Sequence, residues 1–62
     1  MESGEKRLVK ALVNPKTMPE LVTETGLKPV SILWYMKYRI EKSDRKIMKS
    51  EKNGELAYAI EQ

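Results

Sequence analysis

The sequence of 62 residues contains no cysteine and no histidine. The lack of cysteine excludes a disulfide framework, and the lack of both excludes the common zinc-finger patterns and the usual catalytic bases and nucleophiles. A chain of this length forms one domain, residues 1–62, and buries only about 60% of the surface that its unfolded chain exposes. Since an enclosed pocket needs more volume than such a domain offers, we expect no enzymatic activity, no cofactor, no metal and no small-molecule ligand.

The sequence also lacks a long apolar run. No segment approaches the roughly 20 apolar residues of a transmembrane helix. The first ten residues, MESGEKRLVK, are polar and lack the apolar region of a signal peptide. We therefore expect no membrane association and a cytoplasmic location.

The basic residues are concentrated in one part of the chain. The net charge is +3. Residues 27–49 contain seven basic and two acidic residues, a net charge of +5, whereas residues 1–26 sum to zero and residues 50–62 to −2. A localised basic segment is typical of nucleic-acid binders. A solvated helix face is the alternative interpretation.

Apolar spacing and capping residues predict three helices. Leu8, Ala11 and Leu12 follow helical spacing, which predicts a first helix at about residues 4–13 that ends before Pro15. The motif TMPE is a capping box that predicts a second helix at about 18–25, and Gly26 suits its C-terminal end. A third helix is predicted at about 29–42, with a proline in its first turn.

The remaining segment predicts a β-hairpin at about residues 46–61. Asn53-Gly54 is the strongest short signal for a two-residue type I′ turn, and apolar residues alternate after it. This turn implies a register with four pairs that can be named in advance: Ile47 with Ile60, Lys49 with Tyr58, Glu51 with Leu56, and Lys52 with Glu55. The hairpin should lay Ile47, Tyr58 and Ile60 on the helices, because a lone hairpin is unstable in water.

The order of these elements, and two motifs within it, resemble a known family. Two helices joined by a tight glycine-containing turn form a helix-turn-helix unit. The stretch ELVTETGLKPVSILWYMK resembles the helix-turn-helix of winged-helix transcription regulators such as the MarR-like and ArsR-like families and small archaeal relatives, and NGELAYAI resembles the return strand of their wing. The resemblance implies a mainly α fold with a small β-hairpin, a three-helix winged helix-turn-helix.

The predicted third helix has two faces of different chemistry. At 100° per residue, Ile32, Leu33, Met36 and Ile40 share one face and should pack on the first two helices. The opposite face and the basic residues around it are the predicted DNA contacts. They are Lys28, Pro29, Val30, Ser31, Trp34, Tyr35, Lys37, Tyr38, Arg45, Lys49 and Lys52. For Trp34, the core, a subunit interface and a DNA contact all remain open.

The resemblance and the charge pattern together lead to one functional expectation and two alternatives. We expect a nucleoid-associated transcription regulator, such as a repressor, that binds DNA either sequence-specifically or as a general duplex binder. It inserts its third helix in the major groove and can act as a homodimer on two half-sites. One alternative is a winged-helix module for protein–protein interaction, because the wing tip EKNGE is nearly neutral. The other is a shape-selective nucleic-acid binder that uses Trp and Tyr contacts.

Overall fold

The computed structural model describes residues 3–61 and shows a mixed α/β fold. Its helices and strands are α1 (Gly4–Ala11), β1 (Lys16–Thr17), α2 (Met18–Thr25), α3 (Pro29–Tyr35), β2 (Ile47–Lys52) and β3 (Glu55–Ile60). A π-helical turn (Met36–Ile40) and a 3₁₀ turn (Glu41–Ser43) continue α3 without a break. We call residues 29–43 the third helix. Within residues 3–61, no helix has the length and apolar character that crossing a membrane requires.

The first two helices begin at the residues that the sequence predicts. The Ser3 hydroxyl accepts the backbone N–H of Lys6 at 3.2 Å and caps α1. The capping box of α2 is formed, and Gly26 ends that helix in the left-handed conformation, with φ of 73°. The one difference is at the end of α1, which stops at Ala11 rather than near residue 13 because Leu12 leaves helical geometry.

The third helix spans residues 29–43, in agreement with the prediction of about 29–42, but the π-helical turn was not predicted. In this turn the backbone N–H of Glu41 donates to the carbonyl of Met36, five residues earlier. Such turns are wider than an α-helical turn. The first and last residues of the turn, Met36 and Ile40, are both buried. The helix therefore keeps its apolar contacts to its C-terminal end.

The hairpin has the predicted register, and all four named pairs are confirmed. Asn53 and Gly54 both have positive φ, 53° and 80°, as a type I′ turn requires. The prediction of a two-stranded hairpin was nevertheless incomplete. The short strand β1 pairs with β3, so that the sheet has three antiparallel strands in the order β1-β3-β2.

The core lies between the three helices and the sheet. Its fully buried side chains come from the three helices and from Leu12, the residue that follows α1. They are Leu8, Leu12, Leu21, Ile32 and Ile40. Tyr58 and Ile47 pack against this core from the sheet, and Ile60 is part of it. The prediction that Leu33 is buried was wrong, because its side chain is 48% exposed. Leu33 lines a groove between the third helix and the hairpin instead.

Candidate nucleic-acid interface

The turn between α2 and the third helix is held by hydrogen bonds. The hydroxyl of Thr25, which is buried, donates to the carbonyl of Leu21 at 2.6 Å and accepts the N–H of Leu27 at 3.1 Å. The guanidinium of Arg7 on α1 donates to the carbonyl of Thr25 at 3.2 Å. Since one buried residue is bonded on both sides of Gly26, the direction of the third helix relative to α2 is closely defined.

The start of α1 packs against the flank of the third helix. A Cβ on Gly4 would lie 3.0 Å from the side chain of Leu27 and 3.3 Å from the hydroxyl of Tyr35, so a larger residue would require these side chains to move by a few tenths of an ångström. Beside it, Nε of Arg39 donates to the carboxylate of Glu5 at 2.7 Å. This contact raises the pKa of Arg39 further above its usual value. Arg39 is thus held by α1.

The opposite side of the third helix is not covered by any part of residues 3–61. Exposed side chains occupy it, and we call this set the outer face: Val30, Leu33, Trp34, Lys37 and Tyr38. Val30 is 71% exposed, Trp34 50% and Tyr38 45%. The structure therefore places Trp34 outside the core of the described residues.

The aromatic rings of the third helix contact one another. The Trp34 ring meets Tyr35 edge-on with ring centroids 5.4 Å apart, and lies 5.7 Å from the tilted ring of Tyr38. The ammonium of Lys37 lies 5.5 Å from the centroid of the Tyr38 ring. Tyr35 is only partly exposed because it packs against the core. Trp34 and Tyr38 are therefore the rings that a partner can reach most fully.

Of the other predicted contacts at the start of the third helix, two are exposed in the structure. Lys28 precedes the helix as its N-cap residue, and its extended backbone leads into Pro29 in the first turn. Both are exposed, whereas Ser31 is partly buried. Val30, Ser31, Trp34 and Tyr35 line a shallow hollow of about 310 Å³. These positions lie together, as the helical spacing predicts.

Three of the predicted basic contacts lie in two separate grooves. Lys37 and Lys49 line one groove of about 280 Å³ between the third helix and the hairpin, with Tyr58 and Ile47. Arg45 lies elsewhere, in a groove beside Val13. Lys28, Lys37, Arg45 and Lys49 are exposed and form no ion pair within residues 3–61.

Lys52 differs from the other predicted basic contacts, since its ammonium is engaged within the chain. It lies 3.1 Å from both carboxylate oxygens of Glu20 and 3.5 Å from the carbonyl of Pro15. The backbone N–H of Thr17, followed by the ammonium of Lys52, holds the pKa of Glu20 below its usual value. Lys52 thus joins the tip of the sheet to the start of α2.

Three features of this surface were not predicted from the sequence. They are the groove position of Leu33, the engagement of Arg7 with Thr25, and the ion pair between Glu5 and Arg39. All three depend on contacts between elements that are distant in the sequence. The only local signal was at Leu33, which lies at the edge of the apolar face in a helical projection. The ion pair joins residues 34 positions apart, a separation at which sequence pattern carries no information about contact.

Among residues 3–61, no group of three or more acidic, cysteine or histidine side chains could hold a metal ion. Comparison of the chain with protein-family models, with curated proteins and with solved structures found no match. A function is therefore inferred from the surface that residues 3–61 form.

Proposed function

We propose that this chain is a DNA-binding protein of the winged-helix class, and that it regulates transcription by inserting its third helix in the major groove. The observation that carries the proposal is that the described residues leave the outer face uncovered, while the opposite face of the third helix forms part of the core. An α-helix with its side chains is about 10–12 Å across, and the major groove of B-DNA is about 12 Å wide. The third helix is therefore of the right size to enter the groove.

The positions of the basic side chains support phosphate contacts on both sides of the inserted helix. Lys28 lies at the N-terminal end of the third helix, and Lys37 lies on its outer face. Lys49 lies on β2, across the protein groove between the third helix and the hairpin. None of the three forms an ion pair within residues 3–61. An unpaired exposed lysine can exchange counterions for phosphate without first breaking an internal contact.

Salt dependence tests this proposal directly. The affinity for a duplex is measured by fluorescence anisotropy at several salt concentrations, and the logarithm of the association constant is plotted against that of the salt concentration. Each phosphate contact contributes a slope of about −0.9. We expect a slope of about −3 if these three lysines each make one contact. A slope of zero, or no binding at low salt, would contradict the proposal.

Single substitutions sharpen the test. Lys28→Gln, Lys37→Gln and Lys49→Gln should each reduce the steepness of the slope by about 0.9. Lys6→Gln is the matched control, because Lys6 is an exposed lysine of α1, and Lys52→Gln is a second, because its ammonium is bound to Glu20. The control variants should keep the slope of the unmodified protein. Equal effects at all five positions would indicate a nonspecific response to net charge.

The exposed rings support a second candidate function, a module for protein–protein interaction. A contiguous exposed apolar patch commonly marks an interaction site, and Val30, Trp34 and Tyr38 form such a patch. The lysine variants separate the two functions, because they would weaken binding to DNA and leave a contact made by the rings intact. A shape-selective DNA binder differs again, since it would bind duplexes of unrelated sequence equally well.

The proposal includes a dimer, because winged-helix and other helix-turn-helix proteins commonly bind paired half-sites as symmetric dimers. Sedimentation of the protein alone and with DNA measures the stoichiometry. Two chains on a two-fold symmetric duplex, and one on a half-site, are the expected result.

A further inference from the structure

The exposed side chains of the outer face are unusually poor in hydrogen-bonding groups for a DNA-reading surface. Val30, Leu33 and Trp34 present hydrocarbon and an indole ring, while Lys37 and the Tyr38 hydroxyl are the polar groups of the set. Bidentate base recognition is made by Arg or Lys on guanine and by Asn or Gln on adenine. The third helix contains no Asn or Gln.

The one arginine of the third helix is already engaged. Arg39 is bound to the carboxylate of Glu5 at 2.7 Å on the flank that packs against α1, and it does not belong to the outer face. The ammonium of Lys37 is near the Tyr38 ring at the rim of the outer face. Bidentate recognition of a guanine or an adenine therefore has one candidate side chain on the outer face, Lys37. The Tyr38 hydroxyl and the Trp34 indole N–H can each donate only a single hydrogen bond.

Apolar groups in the major groove can recognise a different feature of DNA. The C5-methyl group of thymine is the only apolar group that the base pairs present there, and apolar side chains contact it. We infer that the outer face recognises thymine methyl groups through Val30, Leu33 and Trp34, so that the protein prefers A·T-rich duplexes. This inference rests on the proposed insertion of the third helix in the major groove.

The spacing of these side chains suits that role. Val30 is three residues before Leu33 and four before Trp34, so it lies next to each of them on the helix surface, with Cβ atoms about 5–6 Å apart. Val30 is in the first turn of the helix and is the most exposed of the three, at 71%. Lys28 directly precedes the helix, and Lys37 and Lys49 line the groove that also contains Leu33. Their positive charge complements the phosphates that flank the major groove.

The effect expected of each methyl contact is modest but measurable. Burying one CH₂-sized group stabilises a complex by about 0.8 kcal/mol, which corresponds to about a fourfold change in affinity. Two contacted methyl groups would therefore change the affinity by about fifteenfold.

Replacement of thymine by uracil tests the inference, because it removes the methyl group and keeps every hydrogen-bonding group of the base. Three short duplexes are compared by fluorescence anisotropy at one salt concentration: alternating A·T, the same duplex with deoxyuridine for thymidine, and alternating G·C. We expect the A·T duplex to bind about four- to fifteenfold more tightly than the uracil duplex. Equal binding of these two would overturn the inference and leave the proposed function standing. No binding to any of the three would overturn both.

Variants show whether the third helix causes the preference. Val30→Ser and Trp34→Ala should each lower the ratio of thymine to uracil affinity toward one, while binding to the uracil duplex changes little for Val30→Ser. Val13→Ser is the matched control, because Val13 is a valine of similar exposure, 54%, outside the third helix. It should keep the ratio of the unmodified protein. A ratio that stays the same in both outer-face variants, or that falls equally in the control, would contradict the assignment.

Discussion

Two regions of this molecule use the same types of side chain in opposite ways. In the region that supports the third helix, which comprises α1, α2 and the sheet, three basic side chains are engaged within the chain: Arg7 with the carbonyl of Thr25, Lys16 with Glu24, and Lys52 with Glu20. On the outer face and around it, Lys28, Lys37 and Lys49 have no ion pair within the described residues, and the apolar side chains are exposed.

The difference teaches which charges are structural and which are available to a partner. A lysine that already lies 3.1 Å from a carboxylate must lose that contact before it binds a phosphate, whereas an unpaired lysine loses only its hydration. Substitutions in the supporting region should therefore lower stability, and substitutions on the outer face should lower binding while stability stays close to that of the unmodified protein. Three experiments test this separation.

The largest effect is expected from Ile32→Ala, on the buried face of the third helix. Ile32 is fully buried, and truncation of such a side chain costs about 2–5 kcal/mol. That is comparable to the whole stability of a domain of this size, at about 0.05–0.15 kcal/mol per residue. Chemical denaturation measures the loss.

The matched variant on the outer face is Val30→Ala. Val30 is two residues before Ile32 on the same helix and is exposed. The free energy of unfolding of the Val30→Ala variant should therefore differ from that of the unmodified protein by less than about 0.5 kcal/mol. If Ile32→Ala does not fold, Ile32→Val should still lose about 0.5–1.5 kcal/mol. Similar losses for Val30→Ala and Ile32→Val would show that the two faces are not distinct.

A smaller effect is expected from Thr25→Val, which removes the hydroxyl that holds the turn before the third helix. The N–H of Leu27 then has no acceptor in its present position, and an unsatisfied buried group costs about 1–3 kcal/mol. Thr23→Val is the control, because the Thr23 hydroxyl also donates to the carbonyl four residues earlier but is exposed. Water can replace that bond, so the control should lose less than about 0.5 kcal/mol. Equal losses would contradict the role of the buried hydroxyl.

The smallest effect is expected for the ion pair between Glu20 and Lys52. Because the pKa of Glu20 is lowered in the folded protein, its stabilising contribution is complete above its ordinary value of 4.5 and is lost as the pH falls through the lowered pKa. At pH values below about 4.5, the melting temperature should therefore decrease less in Glu20→Gln than in the unmodified protein.

Glu51→Gln is the control for the acid dependence. Glu51 is exposed on β2 and forms no ion pair within residues 3–61. The melting temperature of the Glu51→Gln variant should follow that of the unmodified protein as the pH is lowered. The same reduction of acid sensitivity in both variants would show that Glu20 makes no particular contribution.

Local rules were sufficient for most of the secondary structure. The helix boundaries at Ser3 and Gly26 depend on side chains and backbone conformations within one turn. The register of the hairpin follows from Asn53-Gly54, because a two-residue turn leaves a single way to pair the strands on either side. The sequence also placed Val30, Trp34, Lys37 and Tyr38 on one face through helical spacing alone.

Contacts between distant residues could not be predicted in the same way. The pairing of β1 with β3 joins a two-residue segment to a strand some 40 positions later, and two residues are too few to show an alternating pattern. Trp34 had three possible locations because its chemistry suits the core, an interface and a solvent-exposed face alike. Only the packing of the helices decided that it is exposed.

The amino-acid sequence by itself determined the helices, the hairpin and the two-sided character of residues 29–43, because periodicity, caps and turn residues act over a few positions. Only the tertiary structure decided which charges remain available, since Arg39 and Lys52 find their carboxylates more than 30 positions away. The physical reason is that pairing of distant charges depends on where packed helices bring them, which the local pattern does not contain.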